Sequence, residues 1–451
     1  MRPAFASFDD TIAALATPPG RSALALVRIS GSRAREVIAS IAPDLPVPLP
    51  AREPRVSAIV DGEGETIDRA VVTLFAAPAS ATGEDVVEIS LHGGLAVVAR
   101  ALDAIAKSGA RPARPGEFTE RAFLLGKLDL VEAEAVRELI DARTPEAAKA
   151  SARRLSGRVS RRLERAREDL VRAAAELAAT IDFAEDVGES VSPETPRRIA
   201  AAIDELALLA ATARRGRLLN DGARVVLLGP PNAGKSTLFN ALVGSDRAIV
   251  TEIPGTTRDT LDAAIDIGGI PVRLVDTAGL RETDEPIERI GVDRAREAAA
   301  GADAVVFVFD AASGWPESAD AELARGPALR LAVANKIDTA GGRPAPAGAL
   351  ALCGLAPGAA ETLREAVADL LGAGPTAEAT SECLGSVRQA DLVARAHGSA
   401  AEALAALARG ESPEYPAAHL DEALAALADL FGETTPEEVL RRIFSTFCIG
   451  K

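Results

Sequence analysis

Apolar and polar positions alternate over residues 23–30 (ALALVRIS), 70–75 and 85–91 (DVVEISL), the period of half-buried strands, and a helical period runs through 33–41. These segments predict a small α+β domain over residues 1–121. From 117 to 182 turn residues nearly vanish and Ala, Leu, Glu and Arg recur at helical spacing. A restart falls at Thr144-Pro145-Glu146, with Pro at the first helical position. Another helix is expected over 193–217, closed by Asn220-Asp221-Gly222. At Arg224 the pattern changes to short apolar strands alternating with helices, which lasts to a linker at 372–376 (GAGPT). Helices resume over 386–409, 417–431 and 436–444, the last with Thr435 as N-cap, Pro436 at the first position and Glu438 completing a capping box. The simplest multidomain architecture makes residues 122–221 and 376–451 one all-α helical domain, into which an α/β domain, 222–375, is inserted.

Composition narrows the class. The chain has 451 residues, 48% hydrophobic and 26% charged, which suits a globular protein of about three domains. No run of about 18 apolar residues occurs, and residues 1–20 carry Asp9 and Asp10 without a basic, apolar-cored leader. The expectation is a cytoplasmic protein with no membrane partner. Cys353, Cys383 and Cys448 lie far apart, so reduced thiols and no zinc are expected. A net charge of −16 opposes broad nucleic-acid binding, so any RNA contact should be local. Arg153, Arg154, Arg158, Arg161, Arg162, Arg165 and Arg167 surround a lone Glu164. A continuous helix puts Arg154, Arg158, Arg161 and Arg165 on one face, a candidate contact for RNA or a partner.

The apolar strand 225–228 leads into Gly229-Pro230-Pro231-Asn232-Ala233-Gly234-Lys235-Ser236 and, from Thr237, a helix, the context of a phosphate-binding loop. Backbone N–H groups from Asn232 to Thr237 cradle phosphates, Lys235 reaches the β and γ phosphates, and the Ser236 hydroxyl binds Mg2+. A second strand, 272–275, ends in Asp276-Thr277-Ala278-Gly279, suited to ordering magnesium and facing the γ-phosphate. After a third strand stands Asn335-Lys336-Ile337-Asp338. The Asp338 carboxylate matches the paired donors of guanine, which adenine lacks, so GTP is favoured over ATP. Thr257, in Thr256-Thr257-Arg258-Asp259, is the threonine expected to close on magnesium. Leu280 stands where Ras-like enzymes place the glutamine that orients water.

With Pro18-Pro19-Gly20-Arg21, residues 83–94 (GEDVVEISLHGG), Arg114-Pro115-Gly116-Glu117-Phe118, residues 126–130 (GKLDL), the GTPase motifs and Cys448-Ile449-Gly450-Lys451, the whole chain resembles the MnmE family of tRNA uridine-modification GTPases. The resemblance implies an N-terminal tetrahydrofolate-binding and dimerising domain, a helical domain and an inserted, potassium-activated P-loop GTPase domain. It implies action with an FAD-bearing partner, MnmG, in a heterotetramer, and 5-formyl- or methylene-tetrahydrofolate as one-carbon source. The product is an aminomethyl or carboxymethylaminomethyl group on carbon 5 of the tRNA wobble uridine. It further implies K+ at Asn232, Thr251, Ile253 and Thr256, standing in for an arginine finger, and water oriented by Glu288, which answers Leu280. For folate the matching positions are Arg28, Glu88, Lys127 and Lys451. Cys448, near the Lys451 cation, is implied to be reactive.

One departure is Leu352-Cys353-Gly354, where GTPases commonly carry Ser-Ala and a basic residue against guanine. A rival reading is a regulatory GTPase switch on RNA or ribosomes without covalent chemistry; the terminal cysteine and the folate positions speak against it.

Overall fold

The computed structural model describes residues 8–182, 192–244, 262–277, 299–317, 319–324, 329–373 and 382–450. Its contacts divide the chain into two compact units, Met1–Arg137 with Leu155–Leu206 and Leu392–Lys451, and Glu138–Arg154 with Ala207–Asp391.

The first unit holds a six-stranded sheet of β1 (Ile12–Leu15), β2 (Leu24–Ser30), β3 (Arg55–Val60), β4 (Thr66–Phe75), β5 (Val86–His92) and β6 (Arg111–Pro112), in the order β3-β4-β5-β2-β1-β6. Neighbours are antiparallel except β1 and β6. Alternation does what the sequence predicts. Val27, Ile29, Val72, Leu74, Val87, Ile89 and Leu91 enter one core, roofed by helices Ala34–Ile41 and Leu95–Lys107. Arg28, Glu88 and Ser90, out of phase with them, fall on the opposite face. There a smaller cluster of Ile12, Ala14, Ala113 and Phe118 forms.

Within the same unit, helix Arg158–Asp182 packs along helix Glu414–Phe431. Val159, Leu163, Ala166, Leu170, Ala173 and Leu177 recur at three- and four-residue spacing on its buried stripe. Arg167 closes the pair with a bidentate bond to Glu433 at 2.8 and 2.7 Å.

The second unit holds β7 (Ala223–Leu228), β8 (Asp262–Ile267), β9 (Ile270–Asp276), β10 (Ala304–Asp310), β11 (Arg330–Asn335) and β12 (Leu350–Ala351), in the order β12-β11-β10-β7-β9-β8. Only β8 runs antiparallel to its neighbour. β10 is apolar almost throughout because both faces are covered: Val306 and Val308 serve one core, Val305, Phe307 and Phe309 the other. Helix Pro145–Leu155 adds Ala147 and Ala150 to the first of these cores, and the Thr144 hydroxyl donates to the Gly269 carbonyl at 2.6 Å.

Two expectations are corrected. The arginine stripe is broken, because the chain passes through Gly157 at φ +72° between helices Pro145–Leu155 and Arg158–Asp182. Arg154 is fully buried, while Arg158, Arg161 and Arg165 are exposed. The N-cap of helix Glu437–Ser445 is Pro436, and the Thr435 hydroxyl donates to the Asp429 carbonyl at 3.1 Å.

Arg154 meets Glu138 at 2.6 Å, the Cys383 carbonyl at 3.2 Å, Ser151 at 3.0 Å and Asn220 at 3.1 Å. It therefore ties two helices to the chain just before helix Val387–Ala408. Burial pushes the Cys383 thiol up, in keeping with an unreactive packing role. Arg154→Ala removes the guanidinium paired with Glu138, a carboxylate at 4% side-chain exposure, so destabilisation of about 3–5 kcal/mol is expected. Denaturant midpoints measure it. The Glu138→Met/Arg154→Met pair should cost far less, and an alanine variant within about 1 kcal/mol of wild type contradicts the assignment.

Candidate functional site

The carboxyl ends of β7, β9, β10 and β11 lie at one edge of their sheet, with Leu227 opposite Asp276 and Asp310 opposite Asn335. Loops at such an edge are where open α/β sheets bind ligands. The loop after β7 begins at Gly229, φ +134°, where a Cβ would lie 1.9 Å from the Val308 carbonyl oxygen. It passes Asn232 at φ +61° and Gly234 at φ +93°, then enters helix Lys235–Gly244. At Gly234 a Cβ would meet the Asn335 Nδ2 at 2.2 Å. The backbone thus forms a cradle that side chains would fill, at a helix N-terminus whose N–H groups favour anions.

Lys235 is 5% exposed, and its Nζ donates to the Gly229 and Pro230 carbonyls at 3.0 and 2.8 Å, which holds the ammonium beneath the loop. Ser236 is exposed in the first helical turn, and Ala233 is buried beneath it. Thr237 is half-buried. Asp276, at the end of β9, is 5% exposed, and the Thr277 hydroxyl donates to the Leu227 carbonyl at 2.7 Å.

Asn335 is 2% exposed and uses both ends of its amide. Nδ2 donates to the Ala233 carbonyl at 2.9 Å, and Oδ1 accepts the Gly354 N–H at 2.9 Å. Lys336, at φ +61°, sends Nζ to the Asn232 carbonyl at 2.6 Å and to Asp310 at 3.0 Å. The Lys336 bond, with the Ala312 N–H, holds the Asp310 carboxyl below its usual range. Asp338 lies exposed on the turn Ile337–Thr339, open to a ligand's edge. Sequence reasoning missed Asp310 and Gly354. Within the Leu352-Cys353-Gly354 departure, the Gly354 N–H is an Asn335 partner, and a Cβ at Gly354 would come within 2.8 Å of Leu238. Thr251, Ile253, Thr256, Thr257, Ala278, Gly279, Leu280 and Glu288 lie outside the described residues.

A second constellation occupies the first unit. Arg28 and Glu88 are register partners across β2 and β5, and Arg28 Nε and Nη2 both donate to Glu88 Oε1, at 3.1 and 2.7 Å. Both side chains are mostly buried, at 16% and 24% exposure. Arg28 Nη1 also donates to the Gly450 carbonyl at 3.4 Å and lies over the Phe118 ring at 5.7 Å. The C-terminal segment reaches this face because Phe444 and Phe447 are buried and Gly116 donates its N–H to the Cys448 carbonyl at 3.3 Å. Gly450, φ +92°, fits where a Cβ would lie 2.4 Å from the Leu15 carbonyl. Cys448 is exposed. Arg28, Glu88 and the segment 448–450 are thereby brought together. Lys127 directs its ammonium to the Pro78 carbonyl at 3.1 Å, and Lys451 lies outside the described residues.

Comparison with known proteins assigns residues 11–127 to the model for the GTP-binding protein TrmE N-terminus and residues 130–448 to that for the MnmE helical domain. The chain is 42% identical to the tRNA modification GTPase MnmE of Roseiflexus castenholzii, over 98% of this chain and 100% of that one. It is 43% identical to the protein of the same name from Symbiobacterium thermophilum, with the same coverage. Among solved structures, the FeoB G-domain from Methanococcus jannaschii is 23% identical over 33% of this chain and 98% of that one, with a TM-score of 0.23, too slight a likeness to bear on fold or function.

The cradle makes a direct prediction. Gly234→Ala must push the loop away from Asn335, so affinity for a fluorescent GDP analogue should fall by at least ~10-fold, a loss of ~1.4 kcal/mol. Gly244→Ala, with nothing within 4 Å, serves as control and should change it less than about two-fold. Equal affinities for both variants would remove the loop from the site.

Proposed function

The chain belongs to the MnmE family of tRNA modification GTPases, and we propose that it is a potassium-activated GTPase that modifies the wobble uridine of certain tRNAs at carbon 5. With the FAD-bearing partner MnmG it adds an aminomethyl or carboxymethylaminomethyl group, the carbon coming from 5-formyl- or methylene-tetrahydrofolate. It acts in the cytoplasm as a homodimer within a heterotetramer. The observation that carries this reading is the presence in one chain of the Gly229–Lys235 cradle latched to Asn335 and of the Arg28–Glu88 pair joined to the segment bearing Cys448.

In the phosphate site, Lys235 sits where it meets β and γ oxygens, and the exposed Ser236 offers its hydroxyl to Mg2+ together with Thr257. Magnesium supplies charge neutralisation on the β and γ oxygens. Asp276 orders magnesium on that side of the site, and the Gly279 N–H, reached through Thr277 and Ala278, faces the γ-phosphate. Asp338 accepts both donors of the guanine edge, while the Asn335 and Lys336 bonds fix the distance between base and phosphate subsites. Glu288 orients the attacking water. The Asn232 carbonyl is taken by Lys336, and its side-chain amide has no partner among the described residues, so it is available to K+ with Thr251, Ile253 and Thr256. Potassium supplies the positive charge that other GTPases take from arginine.

In the folate site both Arg28 bonds go to Glu88 Oε1, which leaves Oε2 for the amidine-like edge of a pterin. Lys127 and Lys451 are assigned to the anionic part of folate. The Cys448 thiol, exposed beside this pair's own segment, is the reactive group.

Hydrolysis rates in potassium and sodium at matched ionic strength test the reading. A finger is worth ~10³ or more in rate, so a potassium-to-sodium ratio of at least ~10 is expected. Asn232→Ala should lose that ratio while still binding GTP. Equal rates in the two salts would reject potassium activation.

A further inference from the structure

Helix Arg158–Asp182 carries a face that neither site uses. Arg158, Arg161 and Arg165 are exposed at spacings of three and four residues. Arg161 also donates to the Ser156 carbonyl at 3.0 Å, and on the same helix Arg162 meets Glu205 at 2.6 Å and Arg167 meets Glu433 at 2.7 Å. Beside Arg161 opens a cavity of about 310 Å³, floored by Phe123, Leu128 and Phe431. That volume lies at the low end of the ~300–1,000 Å³ of small-ligand sites. Ser160 lines it at 7% exposure, and its hydroxyl has no hydrogen-bond partner among the described residues. A buried hydroxyl left unpaired is costly, which makes it an orphan in search of a ligand atom.

Four carboxylates line the cavity, Asp129, Glu132, Glu164 and Glu433, and Glu164, 49% exposed, lies 3.5 Å from Arg167. Asp129 accepts the Glu132 N–H at 2.8 Å and Glu132 accepts the Asp129 N–H at 3.0 Å, a reciprocal cap on helix Leu130–Asp141. Glu433 holds Arg167. In a chain of net charge −16, three outward arginines next to an aromatic-floored cavity form a local exception. They suit phosphates, and the cavity suits a flat ring with a polar edge.

Resting on the tRNA reading above, we propose that this face docks an unpaired stretch of tRNA, its phosphates on Arg158, Arg161 and Arg165 and one splayed base in the cavity. The base lies against Phe123 and Phe431 and bonds to the Ser160 hydroxyl. A paired A-form helix keeps its bases stacked inside and reaches a concave pocket poorly, so an unpaired segment is required. The arginines set affinity and salt dependence, and the cavity selects unpaired over paired RNA.

Binding of a transcribed tRNA with uridine at the wobble position, measured across a salt series with the full chain, tests this. In Arg158→Glu/Arg161→Glu/Arg165→Glu the affinity should fall by about 10-fold or more, and the slope of log K against log salt should flatten by about 2, from ~0.7 per lost phosphate contact. Fold is checked by a thermal midpoint within about 2 °C of wild type. Arg158→Gln and Arg165→Gln should each flatten the slope by ~0.7 in milder variants. Ser160→Ala should lower affinity with the slope unchanged, and closing the anticodon loop with a complementary oligonucleotide should erase the difference between Ser160→Ala and wild type. Wild-type affinity and slope in the arginine variants overturn the proposal. So does retained tRNA binding with lost binding of the flavoprotein partner, which assigns the face to a protein. If the wild-type chain binds no tRNA at low salt, the tRNA reading itself falls, and this proposal with it.

Discussion

The buried amide of Asn335 holds the Gly229–Lys235 loop to the Asn335-Lys336-Ile337-Asp338 segment, for which base recognition is proposed. A buried amide is costly unless both its ends are bonded, and here the Ala233 carbonyl and the Gly354 N–H satisfy them. Because these partners belong to different loops, their spacing is fixed by one planar group. Gly234 and Gly354 are glycines because a Cβ at either would press on Asn335 or Leu238. Lys336 repeats the tie from the next residue, bridging Asn232 and Asp310. Parallel pairing of β10 and β11 sets Asp310 opposite Asn335, so the latch is a consequence of strand register.

The first unit uses a comparable device at its sheet. Arg28 and Glu88 are placed opposite one another by antiparallel register, on the face that strand alternation leaves out of the main core. Arg28 then takes the Gly450 carbonyl, so the end of the described chain is gathered onto residues far from it in sequence. Buried Phe444 and Phe447 supply the apolar anchoring, and the exposed Cys448 is left beside them. The same unit carries a strongly bonded cluster at Glu117. Burial opposes its ionisation, but Arg111 and the Arg114 N–H outweigh that and hold the carboxyl at about 2. That contribution to stability is full above the ordinary carboxylate pKa and fades as pH falls through about 2.

Much of this was legible in sequence where a local rule dictates the outcome. Alternation over 23–30 and 85–91, the period of half-buried strands, puts Arg28 and Glu88 off the core face. The phosphate loop and the Asn335-Lys336-Ile337-Asp338 segment are contiguous, so their types and spacing announce them. The rest depends on contacts between distant residues. Nothing in the local pattern says that Gly157 ends one helix and turns Arg154 inward to Glu138, which broke the expected stripe. Thr435 had the residue type of an N-cap, but the Asp429 carbonyl claimed its hydroxyl. Asp310 and Gly354 carry no motif of their own, and only strand register and the Asn335 amide reveal them.

The central claim is that one chain joins nucleotide hydrolysis to a modification chemistry that needs the Cys448 segment. Mass spectrometry of wobble uridines from a strain lacking the gene, complemented with wild type, Lys235→Ala or Cys448→Ser, tests it most directly. Wild type should restore the carbon-5 modification and both variants should fail, with purified Cys448→Ser still hydrolysing GTP near the wild-type rate. Restored modification in the Cys448→Ser strain would contradict the account.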